Sequence, residues 1–329
     1  MGDTRFPALQ SFSGAEMHKG IVFAFGCGFA SAIMSTAGQS GSGLGVLLAN
    51  FAMLPTIMIG LAYGTRSTAI ASLTGLFTVI ALSNLFAGGI YGVTIAFPCW
   101  LVVRYGLMNR TPSGGTVEWY PIGNTLAKLA GYGAMVLALA AVVNFNEEGG
   151  FRGAVENLLG TFFASRIGGS DVEQSILIER TVNFFPGLAV AGWLLLVTVN
   201  TVAAQMLLSR WGLQVRPTPS YSRLDAPEWL YWALVGAAVL ALAGGEKFEY
   251  IGRNLAIVFA APFFFIGLGI VHLLVRRLSL PGMALATFYI FIVVLGWPMV
   301  AVAGLGFFEQ WAGLRERYVG LSNDHEEEE

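Results

Sequence analysis

Long apolar runs interrupted by glycine and proline constrain this chain more than any other feature. A helix needs roughly 20 apolar residues to cross a hydrocarbon core of about 30 Å. Runs of that kind occupy 20–37, 43–63, 67–87, 89–108, 125–145, 183–208, 229–245, 254–275 and 283–306. The second run contains Pro55 and Gly60 and is followed by Gly64. Such breakers are tolerated in a membrane helix because neighbouring helices re-satisfy the freed backbone groups. The expected fold is therefore an all-α polytopic membrane protein, a bundle of nine transmembrane helices. The count falls to eight if the seventh run, which is short and ends in Gly244-Gly245, is not a span.

Composition agrees. Hydrophobic residues make up 55% and charged residues 12%, against about 25% charged in an ordinary soluble domain. The net charge of −2 speaks against a nucleic-acid partner, which would demand a basic stripe. Cys27 and Cys99 both fall inside apolar runs and read as small packing residues. HExxH, GxSxG and the phosphate-binding P-loop pattern are absent from the sequence, and those motifs carry the zinc, nucleophile and phosphate chemistry of common enzymes. The expectation is a non-enzyme without a cofactor or metal. The polar stretch MGDTRFPALQSFSGAEMHKG has no apolar core with a cleavage site, so the first helix is expected to remain in the mature chain.

Four regions follow from the runs. Residues 1–208 form a six-helix N-terminal unit, 209–228 a linker, 229–314 a three-helix C-terminal unit, and 315–329 an acidic polar tail. The linker carries Arg210, Arg216 and Arg223, whereas loops 38–42 and 88–90 carry no positive charge. Positive residues stay on the cytoplasmic side, which puts the linker and the N-terminus in the cytoplasm and the chain in the plasma (inner) membrane. Between the fifth and sixth runs, Phe151, Val155, Leu158, Leu159, Phe162, Phe163 and Ile167 recur at helical spacing opposite Arg152, Glu156 and Arg166. That pattern predicts an amphipathic helix on the membrane surface.

Two sets of residues are candidates for function. Ala24, Gly28 and Ala32 lie four apart on the first helix. They give a small-residue face for close packing, either within the chain or against another membrane subunit. In the N-inside orientation Gln39, Asn50, Asn84, Asn144 and Asn183 come from separate elements but lie on the outer side of the six-helix unit. Amides donate and accept, so a ring of them suits a small neutral or zwitterionic solute. The competing reading makes them interhelical hydrogen bonds. Asn200 and Gln205 fall on the inner half, outside this set.

The run LPTIMIGLAYGTRSTAIAS, with Pro55, Gly60 and Gly64, resembles the second-to-third helix passage of the substrate-binding (S) components of energy-coupling-factor transporters. The C-terminal part is similar to the YybS-like family of predicted membrane proteins. That similarity lies in Asn254-Leu255, GLGIVHLLV from Gly267, and GLGFFEQWAGLRER from Gly304 to Arg317. The first resemblance implies a six-helix solute-binding unit whose Ala24/Gly28/Ala32 face docks an energising subunit; the three further helices depart from that pattern. Two function classes are expected: a small-solute-binding or transport-related subunit working with a partner, or a non-enzymatic membrane assembly or scaffold protein. Both have membrane lipid as a constant partner.

Overall fold

The structure, a computed structural model, describes residues 14–111, 115–166, 171–218, 224–276 and 278–312. The acidic tail 315–329, Ile167 and linker residues 219–223 lie outside the described residues. Among the described residues fourteen α-helices follow one another: α1 (Gly14–Ala37), α2 (Gly43–Asn50), α3 (Met53–Tyr63), α4 (Thr65–Leu82), α5 (Leu85–Tyr91), α6 (Phe97–Gly106), α7 (Ile122–Val143), α8 (Gly150–Arg166), α9 (Asp171–Val182), α10 (Phe185–Arg210), α11 (Glu228–Ala243), α12 (Glu246–Val275), α13 (Pro281–Leu295) and α14 (Pro298–Ala312). A two-stranded antiparallel ribbon, β1 (Asn109–Arg110) and β2 (Glu118–Trp119), follows α6.

Nine spans are not confirmed. Among the described residues, seven segments are long and apolar enough to cross a membrane, and eight if α13 and the following helix count as one span bent by 116°. Two local causes account for the difference. The helix α11 stops after 16 residues, where Gly245 takes a positive φ of 22°. The last run is cut by Gly296, left-handed at φ 71°, and by Pro298, which cannot continue the hydrogen-bond ladder of a preceding helix. What the sequence presents as one apolar stretch is two helices meeting at a sharp corner.

The chain forms two compact units, 1–120 with 196–218, and 121–195 with 219–329. One of their boundaries, between 218 and 219, falls inside the linker 209–228, and the other two fall at 120/121 and 195/196. In the first unit α1 packs on α3 and α4. Ala24 and Ala32 are fully buried. A Cβ on Gly28 would run into the Ala71 carbonyl oxygen and come within 2.8 Å of Thr74 Cβ. The small-residue face therefore meets α4 of the same chain. The opposite face of α1 exposes Val22, Phe25, Phe29 and Ile33, a stripe at helical spacing that suits lipid.

In the second unit α12 is the central rod, with α7, α11 and α14 against it. Small residues set these crossings, as they do where packing rather than water holds helices together. Gly252 faces the end of α11, with the Leu240 carbonyl carbon 2.7 Å from where a Cβ would stand. Gly267 and Gly306 face each other's helices across the α12–α14 crossing. Beside it Phe263 meets Tyr231 at 4.6 Å and Phe307 at 5.3 Å between ring centroids, within the range for favourable edge-on contact. The predicted amphipathic helix is α8, and α9 packs against it. Val155, Leu159 and Val182 form their inner core with Phe151, Phe163 and Ile178, and Leu158 and Phe162 stay exposed. Arg152 and Glu156 pair at 3.0 Å on the polar side. They help line a groove of about 570 Å³ with Asn157, Thr161, Ser175 and Glu179.

Candidate membrane-buried site

Pro55 organises the first unit's most unusual geometry. Its ring removes one N–H and clashes with the carbonyl four residues earlier, that of Phe51. The second span accordingly breaks between α2 and α3, around Phe51 and Ala52. The turn there tightens to three-residue bonds, Phe51 N–H to Leu48 O at 3.0 Å and Ala52 N–H to Ala49 O at 3.2 Å. Unmatched carbonyls at membrane depth must find partners within the protein. Asn200 on α10 supplies one, its Nδ2 donating to Asn50 O at 2.8 Å and to Leu196 O at 2.8 Å. The Cys99 thiol on α6 points at Met53 O, 3.8 Å away, a weak bond.

The fourth span is irregular as well. Between α5 and α6, Gly92–Ala96 winds as a π-helix, a form that is rare and often found at functional positions. The hydroxyl of Ser72 on α4 donates to Ala96 O at 3.1 Å. One turn earlier, Tyr91 and Ser31 hydroxyls bond at 2.8 Å in a buried setting. Gly75 leaves room for that tyrosine, since a Cβ there would collide with its hydroxyl. Two discontinuous spans are thus stitched by neutral side chains from α1, α4, α6 and α10. Two valences of this unit are left over: Thr56 is 0% and Asn200 1% exposed, and neither Thr56 Oγ1 nor Asn200 Oδ1 has a hydrogen-bond partner among the described residues.

The five amides singled out from the sequence have individual fates. Gln39 is exposed in a 3-10 turn, Gly38–Ser40. Asn50 exposes its side chain and offers its main-chain carbonyl to Asn200. Asn84 caps α5, its Oδ1 accepting from Ala87 N–H at 2.8 Å. Asn144 donates to Ala140 O of its own helix at 2.8 Å. Asn183 offers its main-chain carbonyl to Asn254 Nδ2 at 3.1 Å. Gln39, Asn50 and Asn84 belong to the first compact unit, Asn144 and Asn183 to the second. Each partner just named lies outside the set of five. The cap has a measurable consequence. Replacing Asn84 with Ala is expected to lower stability by about 0.5–2 kcal/mol, read as a lower melting temperature of the detergent-solubilised protein with no ligand present. Unchanged melting would show that the cap contributes nothing.

Sequence reasoning passed over the amides that are buried. Asn200, Gln205 and Asn254 are each at most 6% exposed. Gln205 Nε2 donates to Arg216 O at 2.8 Å. The Arg216 guanidinium in turn holds Gly106 O and Tyr120 O, both at 3.0 Å, and lies over Trp119. Asn254 accepts from Gly187 N–H at 2.8 Å and donates to Tyr250 O at 2.9 Å. The available signal was position. Asn200 and Gln205 sit inside LLLVTVNTVAAQMLL, where a polar residue is costly unless it has work to do.

These features define a multi-pass α-helical membrane protein with two interrupted spans in one unit. The chain belongs to the predicted membrane protein family DUF2232, whose match covers residues 29–309. No curated protein and no solved structure matches it.

Proposed function

We propose that the protein is a non-enzymatic, small-solute-binding subunit of the plasma (inner) membrane, transport-related and working with a partner. The observation that carries this reading is the pair of interrupted spans, Gly43–Tyr63 and Leu85–Gly106, held by buried neutral side chains. Irregular backbone at membrane depth lines cavities and binding sites in transporters. A site built of amides, hydroxyls and carbonyls suits a neutral or zwitterionic solute. The resemblance of the Pro55–Gly64 passage to S components, and of the C-terminal part to the YybS-like family, is in keeping with this, as is a cytoplasmic N-terminus. The Ala24/Gly28/Ala32 face is covered by α4, so a partner would approach α1 on its Phe25/Phe29/Ile33 side.

The test is thermal melting of the purified protein against a panel of amino acids, vitamins and sugars. Saturable stabilisation by one chemical class is the expected result. A second reading, an assembly or scaffold protein, is favoured by the internal bonding of Asn84 and Asn144 and by the exposed stripe on α1. It predicts a flat panel and a stable co-purifying membrane partner that has no nucleotide-binding subunit, and that outcome would displace the solute reading.

A further inference from the structure

We propose that the break in the second span binds a monovalent alkali cation, held by Asn200 Oδ1 and the carbonyl end of α2. The carboxamide is fixed at the break, because its Nδ2 bonds Asn50 O, the last residue of α2. Its Oδ1 shares the same carbon and is buried without a partner among the described residues. The open valence is therefore an acceptor, and whatever meets it is a donor or a cation, never an anion. The same spot receives the carboxyl end of an eight-residue helix. Such an end carries a partial negative charge of about half an electron. Interrupted half-helices present this end to coupling ions, and carbonyl oxygens can stand in for an alkali ion's hydration shell.

The charge of the ion follows from the donor set. Divalent calcium and magnesium take carboxylates among their ligands. Among the described residues no group of three or more His, Cys, Asp or Glu is placed to hold a metal. Neutral oxygens alone leave an ion's charge uncompensated in a low-dielectric setting, where an unpaired charge is expensive. That favours the lowest charge and a modest affinity, suited to ions that are abundant in water. Ion binding here needs no solute, so its failure and that of the solute reading are separate results.

The experiment melts the full chain, purified in detergent, in sodium, potassium and choline chloride at equal ionic strength. Sodium or potassium is expected to raise the melting temperature saturably above choline. Asn200→Leu should abolish that difference. Asn200→Asp should tighten the effective ion by about tenfold or more, because a full charge replaces a dipole. Identical melting in the three salts would mean that water meets the Oδ1, and the proposal would fall. A salt dependence that persists unchanged in either variant would overturn it equally. Should Asn200→Leu not fold, the Asn200→Asp titration decides alone.

Discussion

Gly267→Leu should cost about 3 kcal/mol or more, at or beyond the usual range for overpacking, because the obstacle is backbone. A Cβ at this position meets the Val302 carbonyl, with the carbonyl carbon and Val302 Cγ1 both at 2.9 Å. The partner helix has the same design: a Cβ on Gly306 meets the Phe263 carbonyl and comes within 2.7 Å of Gly267 N. Neither helix can yield a rotamer, so α12 and α14 must separate, and the Tyr231–Phe263–Phe307 rings lose contact with them. The measurement is yield and melting of the solubilised variant beside Gly304→Leu. Gly304 has open space where a Cβ would point, and its variant should stay within about 0.5 kcal/mol of the parent. Equal stability of the two variants would show that the crossing is loose.

The second large effect is expected at Asn254, which makes three hydrogen bonds to residues 183–187 and to its own helix. Asn254→Leu leaves the buried Gly187 N–H and the Asn183 carbonyl without a partner. Each orphaned buried group costs about 1–3 kcal/mol, so a loss of about 2–6 kcal/mol is expected for the pair. Tyr250→Phe is the natural comparison. It removes one bond, Tyr250 hydroxyl to Val182 O at 2.9 Å, and should cost about 1 kcal/mol. Melting of both variants gives the order. A milder Asn254→Leu would mean that water replaces the amide and that this contact is wet.

Membrane class was legible because a hydrocarbon core sets both the length and the polarity of whatever crosses it. The packing role of Gly28 was legible for a related reason: four-residue spacing of small side chains has one use on a helix. Which surface it faced was open, since spacing on one helix says nothing about which neighbour arrives. Pro55 reads as a breaker tolerated within one span, whereas the span breaks about one turn upstream of it, where the clash with the preceding carbonyl acts. The π segment at Gly92–Ala96 has a comparable signature in Pro98, which has no N–H to give the Thr94 carbonyl four residues earlier, inside the segment. Asn84 and Asn144 drew attention as amides at span ends, yet those are the places where helices need caps. Asn200 and Asn254, deeper in apolar sequence, were the more informative pair.

The bond that closes the broken span also sets a schedule. Asn50 and Asn200 are 150 residues apart. At about 5–20 residues per second of synthesis, the Asn50 carbonyl is made on the order of ten seconds before its donor. Through that interval the two halves of the span sit in the translocation machinery or the bilayer with their junction open to whatever donor is at hand. The second span therefore enters the membrane early but acquires its final shape late, when α10 arrives. A chain cut short before Asn200 would carry an apolar segment that is inserted but unfinished, and the cell's membrane quality control would find its exposed polar junction there.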